Sequence, residues 1–168
     1  MARSRVELNR SRLDTVQAGF ADGVFDLARA IVVVAESRAP WAELPPHRLY
    51  HLDEMGGAEL YVQGKRTHEY SSNPSRRPNL PKGMAVRARG GIIGIAGFGF
   101  PGNFVEFGTV KMRAQPFLTP AAAEVLGSDA KLILSKAMEA RLRGERSPNT
   151  PKIKARIAAS RAARAGGG

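Results

Sequence analysis

Three glycines follow an apolar run near the middle of the chain, and their spacing is that of a dinucleotide-binding turn. Gly97, Gly99 and Gly102 form a G-x-G-x-x-G array within "IIGIAGFGFPGNFVEFGT". In a nucleotide-binding βαβ unit the third glycine opens a helix whose N-terminal N–H groups bind the pyrophosphate. Here Pro101 precedes that glycine, and one more glycine and two prolines follow closely, so no crossover helix is predicted. We expect the glycines to permit bends and close backbone packing, with no cofactor bound.

A second candidate for chemistry is a pair of histidines. His47 and His51 are four residues apart and would share one face of a helix, as metal ligands sometimes do. Asp53 and Glu54 lie nearby, but there is no H-E-x-x-H pattern and two prolines precede the pair. The chain has no cysteine, which excludes disulfides, thiolate catalysis and Cys-based zinc sites. An ordinary polar surface is favoured, and no metal site is predicted.

Glu106 is the third candidate, because it lies between Phe104, Val105 and Phe107. Apolar surroundings raise the pKa of a carboxyl group and would let it act as an acid. The alternative is that Glu106 pairs with an arginine of this chain or of a neighbouring one. No nucleophile motif such as G-x-S-x-G is present, so we predict that the chain is not an enzyme.

Apolar periodicity predicts two helices. A helix over 5–38 is indicated by apolar residues that recur at steps of three and four, with Asp22, Asp26 and Arg29 among those on its wet face. Its stripe comprises Leu13, Val16, Phe20, Val24, Leu27, Ile31 and Val34. Gly19 and Gly23 weaken this helix and would mark close packing. A second helix is predicted from 119 to about 143, ending at Gly144, with Thr119 as N-cap and Pro120 in its first position. Its apolar side comprises Ala122, Val125, Leu126, Ile133, Leu134, Ala137 and Met138.

The region between the two helices favours β-structure. Residues 84–98 read as a hairpin, because "MAVRAR" alternates and Gly90-Gly91 suits a two-residue turn. A short strand is expected at 58–64, and the proline-rich stretch 71–83 is expected to be an exposed, mobile loop. The predicted fold is α+β, with a long N-terminal helix and a C-terminal helix packed on a small, mainly antiparallel sheet. We expect residues 1–144 to form one domain and residues 145–168 to form a basic, flexible extension.

The chain carries a net charge of +11, concentrated partly at its ends. Such an excess favours a polyanion or an acidic protein surface as neighbour. The candidate contacts with DNA or an acidic partner are Arg76, Arg77, Lys152, Lys154, Arg156, Arg161 and Arg164. The longest apolar run is "AIVVVA" and no apolar leader follows the basic start, so we expect a soluble protein that does not enter a membrane.

Residues 104–124, "FVEFGTVKMRAQPFLTPAAAE", resemble the signature of a family of small neck and tail-completion proteins of long-tailed bacteriophages. These proteins are often labelled tail components of HK-type lambdoid phages. The family carries a "Y/F-V-E-F-G-T" element, a short basic linker and then "A-Q-P-F-L-x-P-A" at the start of the last helix. The matching residues that we take as a candidate assembly interface are Phe104, Glu106, Phe107, Gly108, Thr109, Gln115, Pro116, Phe117 and Pro120. The alternative for these residues is a purely structural strand-to-helix corner.

The resemblance implies a structural virion protein, made in the host bacterial cytoplasm, that forms a ring in the head–tail joining region. Its expected partners are copies of itself, six to a ring, with the head–tail connector, tail terminator or tail tube proteins beside it. Genomic DNA in the channel is a further expected neighbour. The first half of the chain fits only by layout, since no "T-G-x-L" element can be aligned after the first helix. The rival function is a basic nucleic-acid-binding protein that acts outside the virion, although no helix-turn-helix, RNP or finger pattern is present.

Overall fold

The computed structural model has the α+β fold that the sequence predicts. It describes residues 10–39, 42–44, 48–50, 55–73, 84–88, 90–99 and 102–145. The helices are α1 (Arg10–Arg38), α2 (Gly102–Phe107), α3 (Leu118–Glu124) and α4 (Ala130–Leu142), and a π-helical turn, Val125–Asp129, joins the last two. The strands are β1 (Ala42–Leu44), β2 (Arg48–Tyr50), β3 (Gly56–Val62), β4 (Lys65–Ser71), β5 (Met84–Ala88) and β6 (Ile92–Phe98).

Four of the strands form one antiparallel sheet in the order β4-β3-β6-β5. The predicted hairpin is confirmed as β5–β6, and Gly90 and Gly91 both have positive φ, 80° and 74°. Ala88 pairs with Ile92, so three residues connect the strands, not the two that were predicted. Strands β1 and β2 pair separately as a small antiparallel hairpin.

Helix α1 is the centre of the molecule, because the sheet packs on one side of it and α4 on the other. Small residues allow both approaches. A Cβ on Gly94 of β6 would lie 3.0 Å from the Val24 carbonyl oxygen of α1. Cβ atoms on Gly19 and Gly23 would lie 2.9 Å from the Met138 Cα and 3.2 Å from the Leu134 Cα of α4, respectively. The close packing predicted for Gly19 and Gly23 is therefore confirmed.

The middle of α1 is buried almost all round because it is covered from two sides. Val24, Leu27, Ile31 and Val34 of the predicted stripe are buried. The prediction is wrong for Asp26, which is only 2% exposed and lies 3.6 Å from the Arg29 guanidinium rather than on a wet face.

The prediction is also wrong for the first turns of α1, where Leu13 and Val16 are 53% and 40% exposed. Arg141, near the end of α4, contacts the position of Gly19. The turn that contains Leu13 therefore extends past the end of the helix that covers α1.

The C-terminal helix ends where the sequence predicts. Gly144 has a φ of 74°, its N–H donates to the Arg141 carbonyl at 3.0 Å, and the Glu145 N–H donates to the Ala140 carbonyl at 2.8 Å. This is the hydrogen-bond pattern of a glycine C-cap. Leu126, predicted on the apolar side, is 43% exposed because the π-helical turn shifts the helical phase there.

Strands β1, β2 and β4 were not predicted. Strand β4 reads "KRTHEYS", and its first five residues are exposed at the edge of the sheet, so it lacks the apolar alternation that marks a half-buried strand. The polar loop expected at 71–83 begins with the last residue of β4, and 74–83 lie outside the described residues.

Candidate functional site

Residues 102–121 form a compact feature between the sheet and the C-terminal helices, which we call the corner. Helix α2 begins four residues after the end of β6, and α3 begins eleven residues after the end of α2. A Cβ on Gly102 would lie 2.6 Å from the Phe98 Cβ, so only glycine allows α2 to start this close to the strand. The corner contains every residue of the family-like motif up to Ala121.

The three glycines of the G-x-G-x-x-G array all have backbone or packing roles in the structure. Gly97 pairs with Gly57 in the sheet, the Gly99 N–H donates to the Met55 carbonyl at 3.0 Å, and the Gly102 N–H donates to the Gly99 carbonyl at 2.7 Å. Helix α2 is six residues long, and the sheet that precedes it is antiparallel. The described residues thus lack the βαβ context of a dinucleotide turn.

Glu106 lies at the centre of the corner and is 4% exposed. Its Oε2 accepts hydrogen bonds from the N–H groups of Phe117 and Leu118 at 2.7 and 2.8 Å. Its Oε1 accepts from the N–H and the hydroxyl of Thr119 at 2.8 and 2.5 Å. The carboxylate of one helix therefore caps the N-terminus of another helix twelve residues further on.

This cap accounts for every N–H group that α3 leaves without a helical partner. The first four N–H groups of a helix have none, counting from the N-cap residue. Here those residues are Phe117, Leu118, Thr119 and Pro120; Glu106 takes the first three donors, and proline has no N–H. The prediction that Thr119 is the N-cap is wrong, because Phe117 holds that position and α3 begins at Leu118. Among the described residues of this chain, the Glu106 carboxylate binds the start of α3 and not an arginine.

The same hydrogen bonds set the acidity of Glu106. Burial alone would raise the pKa of this carboxyl. The Thr119 hydroxyl and the N–H groups of Leu118, Phe117 and Thr119 stabilise the charged form more strongly, so the pKa is lowered from its ordinary value. The suggestion that Glu106 has a raised pKa is therefore wrong. Its role is to hold two segments together.

A tight reversal follows Glu106. Gly108 has a φ of 75°, and a Cβ there would lie 2.7 Å from the Ala114 nitrogen. Thr109 and Met112 exchange backbone hydrogen bonds at 2.8 and 3.2 Å, which closes the turn. The Gln115 N–H then donates to the Val105 carbonyl at 2.8 Å and ties the returning chain to α2.

Phe117 anchors the corner to the core. It is 1% exposed, and its ring meets that of Phe98 edge to face with centroids 4.9 Å apart. Leu118 is buried beside it, at 8% exposure. These two side chains complete the apolar layer beneath α1.

Other motif residues face solvent. Phe104 and Phe107 are 43% and 74% exposed, Val110 in the turn is fully exposed, and Met112 is 37% exposed. Thr109, Gln115 and Pro116 are exposed as well, and Pro120 is half-buried. The motif therefore contains two kinds of residue: those whose contacts build the corner, and those whose side chains are exposed to solvent on its surface.

A concave surface lies beside the first half of α1, and we call it the groove. It has a volume of about 300 Å³ between the first half of α1, the end of α4 and the β3–β4 hairpin. Its lining is Asp14, Gln17, Ala18, Ala21, Asp22, Leu60, Val62, Thr67, His68, Ile92 and Arg141.

Two positively chargeable groups face the Asp22 carboxylate in the groove. The His68 Nε2 and the Arg141 Nη1 each lie 3.8 Å from it. The sequence carries no signal for this cluster, because its members are far apart in the chain and no motif links them.

The remaining predicted contact residues lie outside the described part of the chain. These are Arg76, Arg77, Lys152, Lys154, Arg156, Arg161 and Arg164. The same holds for His47, His51, Asp53 and Glu54. Within the described ranges, no group of three or more His, Cys, Asp or Glu residues could hold a metal ion, and no helix has both the length and the hydropathy needed to cross a bilayer.

No family model, characterised relative or solved structure matches this chain. Two observations bear on the function of the chain: the resemblance of residues 104–124 and the way in which the corner is built.

Proposed function

We propose that the chain is a structural virion protein of a long-tailed phage, and that it forms a ring in the neck region for tail completion and head–tail attachment. The observation that carries this proposal is that some residues of the motif build a fixed structure while others are held exposed on it. Glu106, Gly108 and Phe117 build a fixed corner, and Phe107 and Val110 are held exposed on it. A protein that assembles needs apolar side chains held in a defined place on its surface.

The chemistry of the corner favours assembly over catalysis. Its one buried carboxylate has its charge satisfied by four donors and a lowered pKa, which leaves it unsuited to give or take a proton near neutral pH. The N-terminus of α3 has its donors occupied by the protein itself, so it offers no anion site.

Electron microscopy of the purified protein tests the proposal. We expect closed rings of uniform diameter with a central opening. Particles produced by a phage that lacks this gene product should then show full heads beside detached tails, or tails of irregular length. Normal infectious particles without the protein would contradict the proposal.

The second candidate is a basic nucleic-acid-binding protein, favoured by the net charge of +11. It predicts tight binding of the isolated chain to naked duplex DNA, with an affinity that falls steeply as salt rises. The neck protein predicts weak binding under the same conditions. Titration of labelled DNA at two salt concentrations separates the two functions.

A further inference from the structure

The turn after Glu106 projects from the corner, and we call its outer residues the tip: Phe107, Val110, Lys111, Met112 and Arg113. Phe107 is 74% exposed and Val110 is 106% exposed, relative to an isolated residue. The stretch 107–118 has two basic residues and no acidic one. The tip thus exposes three apolar side chains beside two exposed basic ones.

The groove has the opposite character. Its floor is apolar, with Ala18, Ala21 and Leu60, and its rim carries the carboxylates of Asp14 and Asp22. Asp14 is exposed to solvent. A volume of about 300 Å³ admits several water molecules. Apolar side chains that displaced this water from the floor would stabilise a complex.

Tip and groove lie at opposite ends of α1. The groove is lined by Asp14 to Asp22 of that helix. The corner follows Phe98, whose sheet partner Gly56 abuts Val32 and Glu36. The sixteen helical steps from position 18 to position 34 span about 24 Å along the axis. A subunit therefore cannot fold its own tip into its own groove.

We propose that the tip of one copy binds the groove of the next, with Val110 and Met112 on the apolar floor and the basic side chains of the tip beside Asp14. This inference rests on the proposed ring function and names the surface that would form it. The contact is heterologous, because the two surfaces differ, and it leaves one tip and one groove free on every pair. Such a contact propagates until a ring closes, or continues as a filament if the rotation does not close.

The groove also contains the opposing charge of Arg141 and the imidazole of His68. Both face Asp22, on the side of the groove towards α4 and β4. Asp14 lies about two turns earlier on α1, away from that pair. The charge complementarity of the contact therefore lies at the Asp14 rim, where Lys111 and Arg113 would approach.

Two blocking variants, studied by sedimentation velocity on the full chain, test the contact. Val110→Glu should disable the tip, and Ala18→Glu should disable the groove. Each variant alone should be monomeric, with self-association weakened roughly a hundredfold, because an unpaired charge would be buried in the contact. An equimolar mixture should form a 1:1 dimer, since one intact tip and one intact groove remain. Leu132→Glu, at a 54% exposed position of α4, is the matched control and should assemble like the wild-type chain.

The outcomes separate this inference from the proposed function. If wild-type protein forms rings and Val110→Glu forms them equally well, the contact is wrong and the ring function stands. If the mixture gives the 1:1 dimer but the wild-type chain forms open filaments that bind DNA, the contact is right and the neck function fails. A wild-type chain that stays monomeric at all accessible concentrations overturns the contact. Should Ala18→Glu melt at a lower temperature than the wild type, Asp14→Lys at an exposed site replaces it.

Discussion

Two regions of this molecule hold a carboxylate between distant segments, and they do it differently. In the corner, Glu106 accepts four hydrogen bonds at 2.5 to 2.8 Å, all from neutral groups of three consecutive residues. In the groove, Asp22 meets His68 and Arg141 at 3.8 Å, and both partners are nearly half exposed. The corner is fixed by one side chain, whereas the groove is bordered by charges that remain loosely placed.

The difference follows from where the donors come from. Backbone N–H groups at a helix start are already held in one orientation, so a carboxylate that reaches them loses little further freedom and satisfies groups that would otherwise be buried unpaired. Long side chains at an exposed rim lose rotamer entropy when they pair, and solvent screens the attraction. We infer that the corner contributes to stability and the groove to recognition.

The largest expected effect is that of Glu106→Ala. Loss of the carboxylate leaves the N–H groups of Phe117, Leu118 and Thr119 without acceptors in a buried place, which should lower the free energy of unfolding by about 3–5 kcal/mol. Urea unfolding followed by circular dichroism measures the change. Glu139→Ala, which removes an exposed carboxylate 4.0 Å from Arg143, should cost less than about 0.5 kcal/mol. Equal losses in the two variants would remove the distinction between the corner and an ordinary surface pair.

The second largest loss of stability is expected for a substitution at Gly108, where the chain reverses direction. Gly108→Ala forces a Cβ to within 2.7 Å of the Ala114 nitrogen at a φ of 75°, and we expect a loss of about 2–4 kcal/mol. Gly64 has a similar φ of 77° with nothing within 4 Å of its Cβ position, so Gly64→Ala should cost only about 1 kcal/mol. The same unfolding assay compares them. If the two alanines cost the same, the corner is less tightly packed than its geometry indicates.

The pH dependence of the free energy of unfolding tests the role of the Glu106 carboxylate further. Glu106→Gln should destabilise the protein by about 2 kcal/mol at neutral pH, because one acceptor oxygen becomes a donor that faces N–H groups. The pKa of Glu106 is lowered in the folded state, so its contribution is complete above the ordinary value of 4.5 and is lost as pH falls through the folded-state pKa. The stability gap between wild type and Glu106→Gln should therefore narrow below about pH 4.5. A gap that widened on acidification would mean that the pKa is raised.

The sequence predicts regions whose stabilising partners are local or periodic. The stripe from Val24 to Val34, the glycine turn at 90–91 and the stop at Gly144 follow from spacing and backbone preference, and the structure has all of them. The sequence could not separate the residues that build the corner from those exposed on it, and the reason is physical. Glu106 and Thr119 meet only after a reversal at Gly108, so no rule on neighbouring residues could replace a Thr119 cap by a carboxylate from another helix.

Long-range pairs at the sheet edge could not be predicted from the sequence, for the same reason. His68 sits in a strand without apolar alternation, and its approach to Asp22 depends on how that strand lies along α1. The exposure of Leu13 depends on where α4 ends, more than a hundred residues later. Such features are set by tertiary packing and have no local signature.

The smallest expected change in the free energy of unfolding is that of a substitution at Asp22, the carboxylate of the groove. Asp22→Asn keeps the shape of the side chain and removes the charge that faces His68 and Arg141 at 3.8 Å. Because those partners are about half exposed, the free energy of unfolding should change by no more than about 0.5 kcal/mol. In a double-mutant cycle with Arg141→Gln, the coupling energy should be of the same size and should fall as salt is raised. A coupling of about 2 kcal/mol or more that persists in high salt would show that Asp22 holds α1 and α4 together as firmly as Glu106 holds the corner, and the contrast between the two carboxylates would then fail.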